Sequence, residues 1–181
     1  MTGPLETRRL RLEPTRGEFA GALWSATERS LNELKRWMSW ASSSSLQSSI
    51  EYAHRAEAGW ADGTNWDWTI MVEDEVAGTI GLNRHDALWR SCNLGYWIRT
   101  DLAGRGFATE AGRAVVAYGF DEIGLNRLEL VADVDNAASR RVAEKLGFRH
   151  EGTKREGAFV DGRGRDVHMF GLIASDPRPR D

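Results

Sequence analysis

The chain has 181 residues, a length that suits one domain with a sizeable core. Its 41% hydrophobic and 28% charged residues are ordinary for a globular protein, and the net charge of −3 argues against a nucleic-acid binder held by phosphate neutralisation. The single cysteine, Cys92, excludes an internal disulfide and indicates a reducing compartment, and no apolar run approaches the length of a membrane span. We therefore expect a cytoplasmic protein with neither nucleic-acid nor membrane partners.

The predicted elements of the first half follow from apolar periodicity and from capping residues. Alternating apolar residues favour strands, whereas apolar residues spaced three or four apart favour helices. After the serine run, Ser44 or Ser45 is expected to cap a helix that Asp62-Gly63 stops. In chain order the sequence predicts a strand at 9–13, a helix at 18–30, a short helix and loop at 32–40, a longer helix reaching about 61, and a hairpin of strands at 66–72 and 76–82.

The second half predicts strands that alternate with helices. In chain order these are a strand at 91–98, a helix at 109–120, a strand at 127–134, a short helix within 135–148 closed by Gly147, and a final pair of strands at 150–155 and 166–173. Two strands joined by a crossover helix run parallel. We therefore expect an α/β domain with one central parallel pair over residues 1–175, followed by a flexible tail at 176–181.

The turn between the strand at 91–98 and the helix at 109–120 is the first candidate site. The first N–H groups of a helix have no internal partner, and glycines let an anion approach the backbone closely. The sequence matches neither a P-loop nor a dinucleotide fingerprint. A plain strand-to-helix turn is the alternative to a pyrophosphate cradle. The predicted cradle comprises Gly104, Arg105, Gly106, Phe107, Ala108 and Thr109.

A second block, Asn136-Ala-Ala-Ser139 followed by Gly147-Phe148, decides between these readings. Together with the turn, it resembles two motifs of the GNAT superfamily of acyl-CoA N-acyltransferases: Gln/Arg-x-x-Gly-x-Gly/Ala, and an Asn-x-x-Ser element that ends in Gly-Phe. The first motif position is Ala103 here, which removes one side-chain contact but no backbone donor. Strings at 5–12, 32–40, 95–98 and 161–167 are similar to the RimJ/RimL branch, which acylates protein N-terminal amines and some small amines.

The resemblance implies a mixed, mostly antiparallel, twisted sheet flanked by helices, with a central parallel pair that splays apart to admit acyl-CoA. Unpaired backbone groups at Trp97, Ile98 and Arg99 would then pair with the pantetheine arm. Asn136 would face the cofactor, or cap the helix that follows it, or do both. The resemblance further implies acetyl-CoA or another acyl-CoA as cosubstrate, no metal, and a homodimer.

The proposed hydrogen-bond donor to the leaving group is Ser139. It matches a serine that in this branch is proposed to hydrogen-bond the CoA sulfur. Many superfamily members place an acidic tyrosine on the last strands, but position 170 is phenylalanine here, which strengthens the case for Ser139.

The general base is the least determined part of the predicted site. The position of the branch's glutamate is Ala158, and Glu156 lies two residues earlier, on the same face of a strand. We predict Glu156 as the base, with His85, Asp86 or a water chain as alternatives. Cys92 would permit an acyl-cysteine scheme, but a packed cysteine is the expectation.

The expected activity is N-acyl transfer, most simply acetyl transfer, from acyl-CoA to a primary amine by direct attack in a ternary complex. One alternative is a non-catalytic acyl-CoA sensor or interaction module. Another is a succinyl donor, which requires a cation near the acyl tip, for which Arg84 and Arg99 are candidates. Trp37 and Trp40 are expected to pack in the core, although they could instead wall a site or a subunit contact.

Overall fold

The structure is a computed structural model that describes residues 3–179. Its strands are β1 (Leu5–Glu6), β2 (Arg11–Pro14), β3 (Trp66–Val72), β4 (Glu75–Asp86), β5 (Ser91–Ile98), β6 (Arg127–Asp133), β7 (Arg149–Val160) and β8 (Arg163–Ile173). Its helices are α1 (Ala20–Glu28), α2 (Leu31–Leu34), α3 (Leu46–Asp62), α4 (Phe107–Asp121) and α5 (Ala137–Leu146), with 3-10 turns at Gly17–Phe19, Ser39–Ser43 and Thr100–Leu102. The strands form one sheet in the order β1-β2-β3-β4-β5-β6-β8-β7.

The centre of the sheet contains the parallel pair β5–β6, joined by α4. Only the first residues of the two strands pair, from Ser91 opposite Arg127 to Asn93 opposite Glu129. Beyond that point β5 remains paired with β4 as far as Ile98, and β6 remains paired with β8 as far as Asp133. The two strands therefore separate at their carboxyl ends, and the predicted splay of a mixed sheet is confirmed.

Two layers of helices cover the sheet. The larger core packs α4 and α5 against one face through fully buried side chains such as Val115, Leu82 and Leu128. A smaller core packs α1 and the segment after it against the opposite face around Leu23 and Trp97. The gap between β5 and β6 therefore lies between two packed layers.

Capping residues delimit the helices largely as predicted. Ser45 caps α3 through its hydroxyl, which accepts from the Ser48 amide, and Gly63 ends the helix in the left-handed conformation at φ 67°. At α5 the Asn136 side chain accepts from the Ser139 amide, and Gly147 ends the helix at φ 89°. The N-terminus of α4 differs, because no side chain caps it.

The chain termini and the last hairpin depart from the predicted elements. The two-residue strand β1 was not anticipated, and β7 and β8 together span Arg149–Val160 and Arg163–Ile173 rather than 150–155 and 166–173. The register of β7 against β8 shifts between Lys154 and Ala158. This irregularity breaks the alternation of side chains along β7, and a strand is predicted from sequence by that alternation.

The C-terminal tail is in contact with the domain where it is described. Arg178 pairs with Asp121 at 2.9 Å and lies over the Phe120 ring, and Asp176 pairs with Arg149 at 2.8 Å. Residues 180 and 181 lie outside the described range, and the flexibility of the tail stays a prediction.

Candidate active site

The splay opens a cavity of about 300 Å³ that reaches both faces of the sheet. Its walls come from the segment between α2 and α3, from α3, from strands β3 to β6 and from the start of α5. The lining residues are Trp37, Met38, Trp40, Tyr52, Asp67, Thr79, Asn83, Asn93, Leu94, Gly95, Tyr96, Trp97, Leu130, Val131, Ala132, Asp133, Asn136 and Ser139. A cleft that passes between two strands can hold one substrate on each face and let them meet in the gap.

The predicted cradle lies directly beyond β5, at the open N-terminus of α4. Gly104 and Gly106 have φ values of 78° and 85°, a region that residues with a Cβ rarely adopt. Gly104, Arg105 and Gly106 are exposed, and nothing lies within 4 Å of a Cβ placed on Gly104. Because no side chain caps α4, its first N–H groups are open to an anion at the positive end of the helix dipole.

Arg9 braces this cradle, a role the sequence did not indicate. Its Nε donates to Glu110 Oε2 at 2.7 Å, its Nη1 donates to the Arg105 carbonyl at 3.1 Å, and its guanidinium stacks on the Phe107 ring. The Thr7 hydroxyl also donates to Glu110. Burial acts to raise the pKa of Glu110, but these hydrogen bonds outweigh it and hold the pKa below its usual range.

Replacing Arg9 with alanine should weaken acetyl-CoA binding by loosening the cradle. Arg9 is partly exposed, so we expect about 1 kcal/mol of lost stability and a rise in Kd of about 3- to 10-fold, because the Arg105 carbonyl loses its tether. Isothermal titration with acetyl-CoA measures this. The matched control is Arg8→Ala, which removes an exposed arginine one residue earlier; an equal loss in both variants would contradict the brace.

Of the backbone groups at the end of β5 that were predicted to pair with the pantetheine arm, only some are available to a ligand. The Arg99 amide donates to Ala77 O at 2.7 Å and its carbonyl accepts from Leu102, so neither group is available to a ligand. Backbone groups alternate in direction along a strand, so those of Ile98 face the gap. Trp97 contributes its side chain to the cavity wall instead. Of the three predicted residues, Ile98 offers the free backbone edge.

Asn136 and Ser139 lie together at the start of α5, on the β6 side of the gap. The Asn136 carboxamide oxygen accepts from the Ser139 amide at 3.0 Å, so the capping role is present. Both residues line the cavity. Because the cap uses only the oxygen of the Asn136 side chain, its amide nitrogen can donate a hydrogen bond to a ligand in the cavity. The Ser139 hydroxyl is half-buried and directed at β5.

Tyr96 on β5 is a site residue that sequence reasoning missed. Its hydroxyl lies 3.0 Å from Ser139 Oγ across the splay, and both side chains line the cavity. Burial raises the pKa of Tyr96 to about 12, partly offset by the hydrogen bond with Ser139. A neutral tyrosine paired with a serine is a better proton donor than a serine alone. Phe170, on the last strand, is buried in the core and offers no hydroxyl.

None of the predicted bases lines the cavity. Glu156 is exposed in the irregular part of β7, with a left-handed φ of 45°, and its amide donates to Asp166. His85 packs edge-on against Trp66, and Asp86 accepts from the Trp89 amide. A catalytic role for Glu156 stays a prediction.

Two other predictions concern Trp37, Trp40 and Cys92. Both tryptophans line the cavity, and Trp40 remains 40% exposed, so the expectation of core packing was wrong for them. The short polar turn that carries Trp40 has only one fully buried residue, Ala41.

Cys92 is packed as predicted, 2% exposed, and burial raises the pKa of its thiol to about 12, which disfavours an acyl-cysteine scheme.

Among residues 3–179 there is no group of three or more His, Cys, Asp or Glu side chains that could hold a metal ion. In the same range, no helix combines the length and the apolar character needed to cross a bilayer.

Comparisons with known proteins agree with this geometry. The family model described as an acetyltransferase (GNAT) domain matches residues 9–149. YoaA of Bacillus subtilis (strain 168), named as an N-acetyltransferase, is 30% identical over 171 residues, which cover 93% of this chain and 96% of YoaA. The ribosomal-protein-serine acetyltransferase of Escherichia coli (strain K12) is 31% identical over 104 residues, 58% of each protein.

Among solved structures, Mycobacterium smegmatis RimJ in complex with CoA-disulfide superposes with a TM-score of 0.84 at 27% identity, over 95% of this chain and 86% of that one. The chain spans about three fifths of the length of several curated relatives that it matches, 62% and 61% in two of them. The family match covers most of the chain, and the splayed sheet and the open α4 N-terminus agree with it: the protein belongs to the GNAT acetyltransferases.

Proposed function

We propose that the protein transfers an acetyl group from acetyl-CoA to a primary amine, by direct attack of the amine within a ternary complex. The observation that carries this proposal is the Tyr96–Ser139 hydroxyl pair inside the splay, next to a cradle whose backbone donors are open. A thioester bound in the splay would have its sulfur beside this pair, and the cavity continues past the pair to the opposite face of the sheet.

The residues of this chain fit acetyl-CoA at three places. The N–H groups of Gly104 to Thr109 would bind the pyrophosphate, and Arg105 would add positive charge nearby. The Arg105 side chain now donates to the Asp101 carbonyl, so it must turn to reach a phosphate. The exposed edge at Ile98 and the Asn136 side chain would hold the amide-bearing arm.

The acetyl-CoA thioester supplies the activated acyl carbon when it is bound. As the amine nitrogen bonds to that carbon, the carbon–sulfur bond breaks and the sulfur takes its electron pair. Tyr96 gives its proton to that sulfur, and Ser139, hydrogen-bonded to Tyr96, holds the phenol in place and stabilises the phenolate that forms. The nitrogen then loses its extra proton to solvent, and the Tyr96 phenolate takes a proton from solvent.

A protein N-terminal amine is the acceptor class that we favour. Trp37, Met38 and Trp40 form an apolar wall of the cavity, and the 40% exposure of Trp40 leaves part of that ring available to cover a substrate segment. Support also comes from the E. coli relative whose name specifies a ribosomal-protein serine. A polyamine is the second candidate, because a relative named spermidine N(1)-acetyltransferase is 28% identical over 100 residues.

Two alternatives lack support in the site. A succinyl donor needs a cation at the acyl tip, but Arg99 is engaged by Glu75 at 2.8 Å and Asp101 at 2.7 Å, and neither Arg84 nor Arg99 lines the cavity. A non-catalytic sensor would have no use for the paired hydroxyls of Tyr96 and Ser139. Dimer formation and a cytoplasmic location stay predictions.

The proposal is tested by incubating the protein with acetyl-CoA and three acceptors: a peptide that begins with serine, the same peptide with a blocked N-terminus and an internal lysine, and spermidine. Thiol release measures the rate, and mass spectrometry locates the acetyl group. We expect acetylation of the free N-terminus. Acetyl-CoA binding without transfer to any of the three amines, and without loss of binding in Ser139→Ala, would favour the sensor.

A further inference from the structure

Asp67 on β3 is a carboxylate of the cavity wall that takes no part in the chemistry proposed above. It lies opposite Gly81 of β4, and Gly81 lies opposite Gly95 of β5. Side chains of directly paired residues in antiparallel strands share one face of the sheet. The three residues therefore form a row that runs from Asp67 to the strand at the edge of the splay.

The two glycines in this row leave space for the Asp67 side chain and for a substrate. A Cβ on Gly81 would overlap the Asp67 carboxylate, so the carboxylate extends over β4 toward β5. At Gly95 a Cβ would approach only the ends of the Asn83 and Asn93 amides. A groove with two glycines as its floor thus leads from Asp67 to the gap, on the face opposite α4 and its cradle.

The Asp67 side chain is half-buried and incompletely paired. Among residues 3–179 its side-chain hydrogen-bond partner is the Tyr52 hydroxyl of α3, 3.3 Å from Oδ1. The other cavity carboxylate, Asp133, is held by Arg165 at 2.7 Å. Asp67 is therefore the acid group of the cavity that is free to bind a cation.

We propose that Asp67 is the carboxylate that binds the acceptor's ammonium group and removes its proton before acyl transfer. The inference rests on the proposed function and assigns its base. The N–H bond of the ammonium breaks, its electron pair stays on nitrogen, and the proton forms an O–H bond with Asp67. The neutral amine then crosses the Gly81–Gly95 groove to the acyl carbon, and Asp67 later releases its proton to solvent.

The acid strength of Asp67 agrees with this role. Burial raises its pKa to about 6, against the lowering effects of the Tyr52 hydrogen bond and of Arg55. Tyr52 and Arg55 from α3 are the titratable or charged groups near it; the facing positions of β4 are Thr79, Gly81 and Asn83, and Asp133 across the gap is paired. A base with this pKa is ionised at neutral pH, so activity should rise as pH increases through about 6.

The test compares Asp67→Asn with the wild type, using the best acceptor of the amine panel between pH 5 and 9. We expect kcat/KM at pH 7.5 to fall about 100-fold, the rise near pH 6 to vanish, and the Kd for acetyl-CoA to stay within about 2-fold. Asp74→Asn, in the exposed β3–β4 turn, is the matched control and should keep the wild-type profile. An unchanged pH profile in Asp67→Asn would overturn the inference.

A ligand-free measurement separates this inference from the proposed function. Because the folded-state pKa of Asp67 is raised to about 6 while the unfolded chain titrates near its ordinary value of about 4, the wild type loses stability as pH rises from about 4 to about 6. The difference in Tm between Asp67→Asn and the wild type should therefore grow in favour of the variant between pH 4 and 7, whereas Asp74→Asn should show no such growth. A wild type that binds acetyl-CoA but acetylates no amine would refute the proposed function; an active wild type with no such Tm gain would refute only the role of Asp67.

Discussion

Replacing Tyr96 with phenylalanine should lower kcat by about 100-fold or more, with little change in the Kd for acetyl-CoA. The substitution removes one hydroxyl from a position 3.0 Å from Ser139 Oγ and leaves the ring in place. A positioned proton donor contributes about 10²- to 10⁴-fold to such a reaction, and the loss falls on kcat because the donor acts on charge that develops as the thiolate leaves. Stopped-flow or steady-state thiol release at saturating acetyl-CoA measures the effect.

Two further variants make this prediction specific. Tyr118→Phe removes the hydroxyl of a tyrosine that packs on Trp60 and Trp68, away from the cavity, and should leave kcat unchanged. Ser139→Ala should lower kcat less than Tyr96→Phe, and the double variant should be little slower than Tyr96→Phe, because both hydroxyls belong to one hydrogen bond. Additive losses would show that Tyr96 and Ser139 act on different steps.

The sequence predicted elements that are specified locally. Strand β5 begins and ends at the predicted residues, and α3 lies between its Ser45 cap and Gly63 because a hydroxyl acceptor and a glycine act within one turn of the helix ends. The open start of α4 was likewise visible, since Gly104 and Gly106 mark it in sequence. The splay itself required the family resemblance, because no local pattern records where two parallel strands stop pairing.

The interactions that complete the site join distant parts of the chain, and single-sequence periodicity does not record them. Tyr96 and Ser139 are 43 residues apart, and Arg9 and Glu110 are 101 residues apart. Asp67 reaches the cavity only because its register partner is Gly81 rather than a residue with a side chain. A cross-strand register shifted by one residue would turn Asp67 to the other face, so its role depends on pairing that only the folded sheet defines.

Replacing Gly104 and Gly106 together with alanine should abolish most of the affinity for acetyl-CoA. Their φ values of 78° and 85° cost a residue with a Cβ about 1–2 kcal/mol each, so the turn would relax away from the conformation that aims its N–H groups at one point. Each hydrogen bond to a charged phosphate is worth about 1.5–3 kcal/mol, so losing one or two should raise Kd at least about 10-fold. Isothermal titration with acetyl-CoA and with free CoA measures the loss.

Two other glycines of the chain provide a control, because alanine there would cause similar backbone strain away from the cradle. Gly63 and Gly124 have φ values of 67° and 75°, and a Cβ on either meets nothing within 4 Å. The double alanine variant at those positions should therefore lose a similar amount of Tm and keep its Kd for acetyl-CoA. If both pairs of substitutions weakened binding equally, the cradle variant would have acted through global stability. If only the cradle variant lost binding, for free CoA as well as acetyl-CoA, the α4 N-terminus would be the phosphate site, since the two ligands share their phosphates and differ at the acyl group.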